Sequence, residues 1–310
     1  MAHRLGRASM MLAALLAPTN ALPQAPPPPF ARFAHGVDYR FERATVTTGG
    51  ASPAKLVAFV YVPLKNDRKQ AVLFSHGSTG GGATAPDEPF VPPRPVIEFF
   101  VSRGYTLVAP ARRGRGESGG RYGEECGTWS GACTIADETA LFEPGLDEAV
   151  ADSTAVLDQV VLGRLVPRES KVVFAGVSRG GFLSLVMAAR RPEAAKGVLS
   201  FVGGWFSVRD DYGAELNQKR LALQRDRLAA AARTARVPTL WIHAARDPFY
   251  SAAVTRQLFD AFTGAGGHGR YHYVETHTLP SGHAVATDAT LWQQEAGAFL
   301  EALDRPAAAP

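Results

Sequence analysis

The sequence predicts an α/β fold with a mostly parallel central sheet and helices on both of its faces. Short, continuous apolar runs such as 71–74, 105–109 and 171–176 alternate with segments of helical periodicity. Uninterrupted apolar strands are typical of parallel sheets, because helices cover both faces of such sheets. A chain of 310 residues fits one large domain of this class, which we place at 37–304, with a disordered tail at 305–310.

Composition narrows the class of protein further. Hydrophobic residues make up 46% of the chain and charged residues 20%, which is typical of a globular protein with a sizeable core. Lys and Arg number 33 against 29 Asp and Glu, and the small excess is spread along the chain rather than clustered. We therefore expect no nucleic-acid partner. No apolar run reaches 18 residues, so we expect no membrane span.

The first residues have the pattern of a secretory signal peptide. Arg4 and Arg7 precede the apolar run 8–17, and small residues follow. This order predicts a signal peptide over 1–25 and export to a periplasmic or extracellular location; the alternative is a disordered N-terminus. The proline-rich segment 26–36 then predicts an extended leader with no core to join.

The only two cysteines, Cys126 and Cys133, lie close together in a glycine-containing stretch. Two cysteines alone make a poor zinc site, and no other metal-ligand spacing is visible, so we expect no metal. In an exported protein they fit a disulfide that pins a local loop, worth about 2–3 kcal/mol on the loop-entropy estimate. The alternative is a pair of unrelated free thiols.

The elements follow from local patterns. The β-branched and aromatic stretches 39–46 and 54–62 predict an opening antiparallel pair. Later strands are short apolar runs, and helices show apolar residues at helical spacing. The further strands are 71–74, 105–109, 171–176, 197–202, 239–243 and 271–274. The helices are 96–103, which stops at Gly104, and 147–162, 182–190 and 289–303.

One polar, helix-prone region interrupts this alternation. It spans 209–236, lies between two strands and exceeds an ordinary connection. Two interpretations stay open, because periodicity does not place a helix in space: a small helical lid over the strand ends, or a long crossover helix.

A candidate nucleophile lies in the sequence Gly176-Val177-Ser178-Arg179-Gly180. The pattern G-x-S-x-G is short, but here a strand comes immediately before it and a helix immediately after it. A serine at such a sharp turn has its hydroxyl exposed at the sheet edge, and it needs a base to take its proton. The alternative is a glycine-rich turn between strand and helix that has no catalytic role.

The candidate acid is Asp247, at the carboxyl end of strand 239–243, where open sheets place their sites. The alternative for Asp247 is a turn or a helix cap, because Asp-Pro is a common turn signal. Asp260 and Asp288 are rivals, but each falls in or beside a predicted helix.

The candidate base is His283, in a Gly/Pro loop between the last strand and the last helix. A loop histidine has the exposure that a proton shuttle needs. Three other histidines compete: His268 precedes the last strand, His272 lies within it and His277 ends it. The order Ser178, Asp247, His283 is the one expected for a catalytic triad on this kind of sheet.

A negatively charged oxygen that develops during reaction needs hydrogen-bond donors. We assign these to the backbone N–H groups of Arg179, which follows the nucleophile, and Ser78, with Thr79 as the alternative to Ser78. Ser78 lies in the glycine-rich stretch 76–82, where the main chain can approach a ligand. The alternative is a flexible glycine loop; no phosphate-binding G-x-x-x-x-G-K-[ST] pattern occurs.

Together these motifs resemble the α/β-hydrolase superfamily, over roughly 37–304. Within it, the chain is similar to the dienelactone-hydrolase-like and prolyl-oligopeptidase-like branches. Dienelactone hydrolases proper carry a cysteine nucleophile, and Ser178 stands at that position here. The stretches that carry the resemblance are His76-Gly77, Gly104-Tyr105, Arg113-Gly114-Arg115-Gly116-Glu117-Ser118-Gly119-Gly120, Gly176-Val177-Ser178-Arg179-Gly180-Gly181, His243 to Asp247, and Gly282-His283.

The resemblance implies an α/β-hydrolase fold and a serine hydrolase without cofactor, most simply a carboxylesterase with a small-molecule ester substrate. The alternatives are a serine peptidase or amidase, and a non-catalytic binding protein on the same scaffold. Trp205 and Phe206 follow a strand end and line either an acyl pocket or the core. Three arginines near 112–115 meet either an anionic substrate or solvent; they are Arg112, Arg113 and Arg115.

Overall fold

The computed structural model describes residues 30–32, 38–50, 52–78, 91–124 and 134–305. The predicted signal peptide 1–25, the pair Cys126 and Cys133, Thr79 and 306–310 of the predicted tail lie outside these residues. Of the helices in the described ranges, none is long and apolar enough to cross a membrane.

A nine-stranded sheet forms the centre of the molecule, in the order β1-β2-β3-β5-β4-β6-β7-β8-β9. Strands β4 to β9 run parallel to one another, and antiparallel pairing joins β1 to β2, β2 to β3 and β3 to β5. The strands are β1 Phe30–Arg32, β2 Asp38–Thr47, β3 Lys55–Pro63, β4 Gln70–Ser75, β5 Tyr105–Ala111, β6 Val172–Val177, β7 Ala195–Phe201, β8 Thr239–Ala244 and β9 Gly269–Val274.

Helices cover both faces of the sheet. Each face has its own buried apolar cluster. Helices α2, α3, α4 and α5 pack into the cluster on one face, and α1 and α6 pack into the cluster on the other. The helices are α1 Arg94–Ser102, α2 Ile135–Val156, α3 Arg179–Arg190, α4 Ala214–Ala232, α5 Ala252–Gly264 and α6 Gln293–Asp304. The predicted mostly parallel sheet with helices on both faces is confirmed, and so is the opening antiparallel pair, in which Tyr39 faces Pro63 and Thr47 faces Lys55.

The predicted start of the helix at 147–162 is wrong. Helix α2 begins twelve residues earlier, because Thr134 caps it: its hydroxyl accepts from the Asp137 N–H, and the Asp137 carboxylate accepts from the Thr134 N–H. Pro144 lies inside this helix. A proline within a helical pattern usually ends the helix, which is why the sequence suggested a later start. The helix continues into a π-helical turn, Leu157–Val161.

Two other segments add to the predictions. Within the predicted extended leader 26–36, residues 30–32 form strand β1, which pairs with the edge of β2, with Phe30 opposite Arg40. The helix predicted at 289–303 is split into a short 3-10 turn, Ala289–Leu291, and α6, and Trp292 lies buried at the break.

Helix α4 lies within the region 209–236, for which a lid and a crossover helix were both open. It connects β7 to β8, and its second half packs into the same cluster as α3 and α5 through Leu228 and Ala232. Near the middle of the helix, Gln224 is fully buried, and its side-chain oxygen accepts from the Trp205 N–H. The structure thus describes α4 as a crossover helix.

Candidate active site

Ser178 occupies a sharp turn between the end of β6 and the start of α3. Its backbone has φ 56° and ψ −123°, a sparsely populated conformation for a residue with a side chain, costing of order 1–3 kcal/mol. The turn is held by close backbone packing: a Cβ at Gly180 would collide with the carbonyl oxygens of Ser75 and His76. The Ser178 N–H also donates to the Phe201 carbonyl at 2.8 Å. The neighbouring strands therefore impose this conformation.

Asp247 and His283 form a hydrogen-bonded pair at the same edge of the sheet. The Nδ1 atom of His283 lies 2.9 Å from Oδ2 of Asp247, whose side chain is only 2% exposed. The other oxygen, Oδ1, accepts from the N–H groups of Phe249 at 2.8 Å and Tyr250 at 3.3 Å. An acceptor of this kind holds the imidazole in one orientation and leaves its second nitrogen, Nε2, for other chemistry.

His283 is the second residue of the 3-10 segment Gly282–Thr287, and its backbone N–H donates to the Ser281 hydroxyl at 3.1 Å. The ring of Phe249 packs edge-on against its imidazole, with centroids 4.6 Å apart. The His283 side chain is 21% exposed, so one side of the imidazole is open to solvent.

The rivals of these residues have other partners. His277 bonds through Nε2 to the Ala245 carbonyl at 2.7 Å, and His272 through Nε2 to the Leu291 carbonyl at 3.1 Å. Asp288 caps a short turn by accepting from the Thr290 N–H at 3.0 Å. Asp260 lies within α5.

The predicted oxyanion segment runs directly over Ser178. A Cβ at Gly77 would lie 3.2 Å from the Ser178 Cβ, so the backbone before Ser78 contacts the turn. Arg179 is the first residue of α3, so its N–H belongs to the positive end of the helix dipole. The segment that contains Ser78 and the start of α3 at Arg179 thus both border the turn at Ser178, while the alternative Thr79 is outside the described residues.

His76 fixes this segment. Its Nε2 accepts from the Arg112 N–H at 3.2 Å, so the ring proton is on Nδ1, which donates to the Gly77 carbonyl at 2.8 Å. Burial, with a smaller contribution from the Arg112 charge, lowers the pKa of His76 to about 3. The ring is therefore neutral at ordinary pH.

Behind this segment lies a buried group of charges. Arg112 forms a two-pronged ion pair with Glu124, and its guanidinium also donates to the His76 carbonyl at 3.0 Å. Burial raises the pKa of Glu124, but the Arg112 charge and hydrogen bonds outweigh it and lower the pKa to about 2. The Arg179 guanidinium lies 3.7 Å from the same carboxylate and donates to the Tyr122 hydroxyl at 2.6 Å.

Neither alternative stated for Arg112, Arg113 and Arg115 is correct. All three are buried, at 0%, 6% and 0% exposure, so they meet neither solvent nor an open pocket. Arg113 pairs with Asp152, and Arg115 lies over the Tyr122 ring at 3.3 Å. These arginines tie the loop after β5 to the rest of the molecule.

Trp205 and Phe206 lie in the core rather than in an open pocket. Their exposures are 1% and 6%, and they pack against Phe142 of α2 with centroid distances of 6.1 and 5.4 Å. Of the two alternatives stated for them, the structure shows the core.

Two residues of this site had not been singled out from the sequence. Glu124 precedes the cysteine stretch and carries no motif; only its burial and its pairing with Arg112 reveal it. Tyr250 follows Asp247 by three residues; its N–H donates to Asp247 Oδ1 at 3.3 Å, and its ring lies 5.8 Å from the His283 ring. The position of Tyr250 three residues after Asp247 was the one feature of the sequence that could have indicated it. A Cβ at Gly204 would lie 2.8 Å from the Tyr250 hydroxyl oxygen, and the Gly204 N–H donates to the Ser178 carbonyl at 3.2 Å, so Tyr250 lies near both the turn at Ser178 and the ring of His283.

His243 lies beneath this site, on β8. It is 1% exposed, stacks on Tyr271 at 5.5 Å, and has no hydrogen-bond partner for either ring nitrogen within the described chain. Burial, helped by the charge of His283, lowers the pKa of His243 to about 3. Within the described ranges, no group of three or more His, Cys, Asp or Glu side chains is arranged to hold a metal ion.

No family model and no curated protein matches the sequence. Solved structures do match in fold. The esterase Pf2001 of Pyrococcus furiosus superposes with a TM-score of 0.56 at 15% identity, covering 85% of this chain and 90% of that one. The acylaminoacyl peptidase of Pyrococcus horikoshii gives 0.57 at 14% identity, covering 86% of this chain but 41% of that one. A protein from Klebsiella pneumoniae assigned as a dienelactone hydrolase gives 0.52 at 14% identity, covering 84% and 99%.

Replacement Glu124→Gln tests the buried ion pair. It keeps the shape of the side chain but leaves the buried Arg112 charge without its counter-ion, so the free energy of unfolding should fall by about 3 kcal/mol. Urea unfolding at pH 7 measures it. Glu193→Gln is the matched control, because Glu193 pairs with Arg191 at the surface with its side chain 63% exposed, and we expect a change below about 1 kcal/mol. Equal effects of the two replacements would contradict this assignment.

Replacement His243→Phe tests the buried neutral imidazole. The unfolded chain binds a proton at this position below about pH 6.5 and the folded chain only near pH 3, so acid favours unfolding across that window. Between pH 7 and pH 5 the wild type should lose about 2 kcal/mol more stability than His243→Phe, measured by urea unfolding at each pH. The exposed His268, replaced by Gln, is the control and should leave the pH slope unchanged. Parallel slopes for wild type and His243→Phe would refute the account.

Proposed function

We propose that this chain, which has the α/β-hydrolase fold, is a serine hydrolase that cleaves carboxylic esters through an acyl-enzyme on Ser178. The observation that carries the proposal is the strained Ser178 at the carboxyl end of β6, at the same sheet edge as the bonded pair Asp247 and His283. Backbone strain of this kind persists where the surrounding structure holds it and is concentrated at functional sites.

The reaction proceeds in two steps. His283 takes the proton of Ser178 while the serine Oγ bonds to the carbonyl carbon, and the electron pair of the C=O π bond moves to the oxygen. The N–H groups of Ser78 and Arg179 stabilise that oxyanion, and the Asp247 carboxylate stabilises the imidazolium. When the intermediate collapses, the alcohol leaves with the proton from His283.

The second step releases the acid. His283 removes a proton from a water molecule, which attacks the acyl carbon, and Ser178 leaves and regains its proton from the imidazolium. The chemistry needs only side chains and backbone of this chain.

An ester is our first choice of substrate and an amide or peptide bond the second. The likeness to the esterase Pf2001 extends over 90% of that chain, whereas the present chain spans only 41% of the acylaminoacyl peptidase. The peptidase likeness keeps a serine peptidase or amidase as the alternative. Because one fold hosts many activities, the substrate is settled by assay.

An active-site-directed fluorophosphonate probe tests the nucleophile. We expect it to label the wild type covalently and to leave Ser178→Ala unlabelled, as read by fluorescence after denaturing electrophoresis. Ser184→Ala is the matched control, because Ser184 is a buried serine of α3 whose hydroxyl bonds only to the Gly180 carbonyl at 2.8 Å. Labelling that survives in Ser178→Ala, or a wild type that does not react, would leave a binding protein as the better interpretation.

A substrate series tests ester against amide specificity. We expect hydrolysis of p-nitrophenyl esters, scanned by acyl-chain length, at rates well above those of aminoacyl p-nitroanilides, followed by nitrophenol or nitroaniline absorbance. Ser178→Ala provides the background for each substrate. Turnover of anilides without turnover of esters would overturn the first choice in favour of a peptidase or amidase.

A further inference from the structure

The segment 275–281 joins β9 to the 3-10 turn that carries His283, the proposed base. It contains no helix or strand, four of its seven residues are exposed, and none is fully buried. Its one leucine, Leu279, belongs to neither buried apolar cluster. A segment with few buried apolar contacts opens easily unless polar bonds hold it. The position of His283 therefore depends on such bonds.

The loop after β8 supplies these bonds at both ends and in the middle of the segment. The Ala245 N–H donates to the Val274 carbonyl at 2.9 Å, and the Ala245 carbonyl accepts from Nε2 of His277 at 2.7 Å. At the far end, the Gly282 N–H donates to the Arg246 carbonyl at 3.2 Å. A Cβ at Gly282 would collide with the Ala245 carbonyl oxygen, so the two loops are in backbone contact.

The guanidinium of Arg246 makes the remaining contacts. Its Nη2 atom lies 2.6 Å from the His277 carbonyl oxygen, 3.0 Å from the Leu279 carbonyl oxygen and 3.0 Å from Nδ1 of His277. All three acceptors belong to the segment 275–281. The backbone of Arg246 has φ 59°, in the left-handed region that residues with a side chain rarely adopt. Such a conformation persists where the surrounding structure holds it.

His277 joins this arrangement as a neutral ring. A carbonyl oxygen only accepts hydrogen bonds, so Nε2, which faces the Ala245 carbonyl, carries the ring proton. Nδ1 then faces the Arg246 guanidinium as an acceptor. His277 thus bonds to two consecutive residues of the loop after β8, and Arg246 and His277 hold the segment together.

We propose that Arg246 is a positioning residue for His283, whose guanidinium clamps the segment 275–281 to the carboxyl end of β8; this rests on the proposed serine-hydrolase function. The next residue, Asp247, binds the His283 ring, so one stretch of backbone holds both the ring and the segment that leads to it. The alternative is a surface arginine that only stabilises the fold.

The consequence for the reaction follows from geometry. In the proposed reaction, Nε2 of His283 accepts a proton from Ser178 and later from water, so its position matters in both steps. Asp247 orients the ring, whereas the bonds from Arg246 hold the backbone segment before it. A displacement of about 1 Å in such a group costs roughly 100-fold in rate. A loss of this kind lowers kcat and leaves KM nearly unchanged.

Replacement Arg246→Met is the primary test, because methionine keeps most of the length of the side chain and removes its donors. The readouts are kcat and KM for the best p-nitrophenyl ester and the rate constant for fluorophosphonate labelling, at a temperature where urea unfolding shows the variant to be folded. We expect kcat and labelling to fall about 10- to 100-fold and KM to change less than about threefold. A residue that only stabilises the fold would leave kcat of the folded protein unchanged.

Arg270→Met is the matched control. Arg270 is also an exposed arginine, and its Nη2 atom also reaches a backbone carbonyl, that of Glu295 at 3.5 Å. It lies near the amino end of β9, at the opposite end of that strand from the segment 275–281. We therefore expect both readouts to match the wild type. A loss of kcat in Arg270→Met as large as in Arg246→Met would overturn the proposal.

His277→Ala is an independent second variant, which also covers the case in which Arg246→Met folds poorly. It removes the ring that bonds to Ala245 and Arg246, so kcat should fall while KM stays nearly unchanged. Because Arg246 and His277 hold the same segment, the double variant should lose less than the product of the two single fold-losses. Fold-losses that multiply in the double variant would overturn the proposal.

The remaining outcomes separate this inference from the proposed function. If the wild type labels at Ser178 and Arg246→Met keeps the wild-type kcat and labelling rate, the positioning role falls and the serine hydrolase stands. If the wild type neither labels nor hydrolyses esters, both fall. A rise in KM with unchanged kcat would assign Arg246 to substrate binding and would also overturn the role proposed here.

Discussion

Ser178 sits in a strained backbone conformation because β6 and α3 meet with no side chain between them. The carbonyl oxygens of Ser75 and His76 occupy the space that a Cβ at Gly180 would need, so the helix must start close against β4. With the chain forced through φ 56° at Ser178, the serine side chain lies between the end of β6 and the segment that follows β4. Every other element of the proposed site is positioned with respect to this turn.

Two carboxylates organise the surroundings of that turn. Asp247 uses one oxygen for His283 and the other for the backbone at Tyr250, so a single buried group positions both the proposed base and the loop that follows β8. Glu124 acts on the opposite side: it pairs with Arg112, whose guanidinium also donates to the His76 carbonyl and whose N–H orients the His76 ring. Buried charges of this kind are costly unless they are paired, and here the pairing fixes loops rather than binding a ligand.

The architecture followed from the sequence wherever a local pattern determined the element. The buried strands showed as apolar runs, and the G-x-S-x-G motif identified the turn at Ser178 because a strand and a helix flank it. Helix α2 was harder to predict, since Pro144 argues locally against a helix and the cap at Thr134 lies thirteen residues before the predicted start. The charged network was not predictable from local pattern, because Arg112 and Glu124 look like loop charges until their burial is seen. The position of Tyr250 likewise depends on Gly204, which is distant in sequence.

The most direct test of the central claim is to trap the acyl-enzyme and locate it. The protein is mixed with a p-nitrophenyl ester, quenched in acid within the first turnovers, digested and mapped by tandem mass spectrometry. The account predicts one acyl group per chain, on the peptide that contains Ser178 and on that side chain. An acyl group on any other residue, or ester turnover with no covalent intermediate under conditions where nitrophenol release shows a burst, would contradict it.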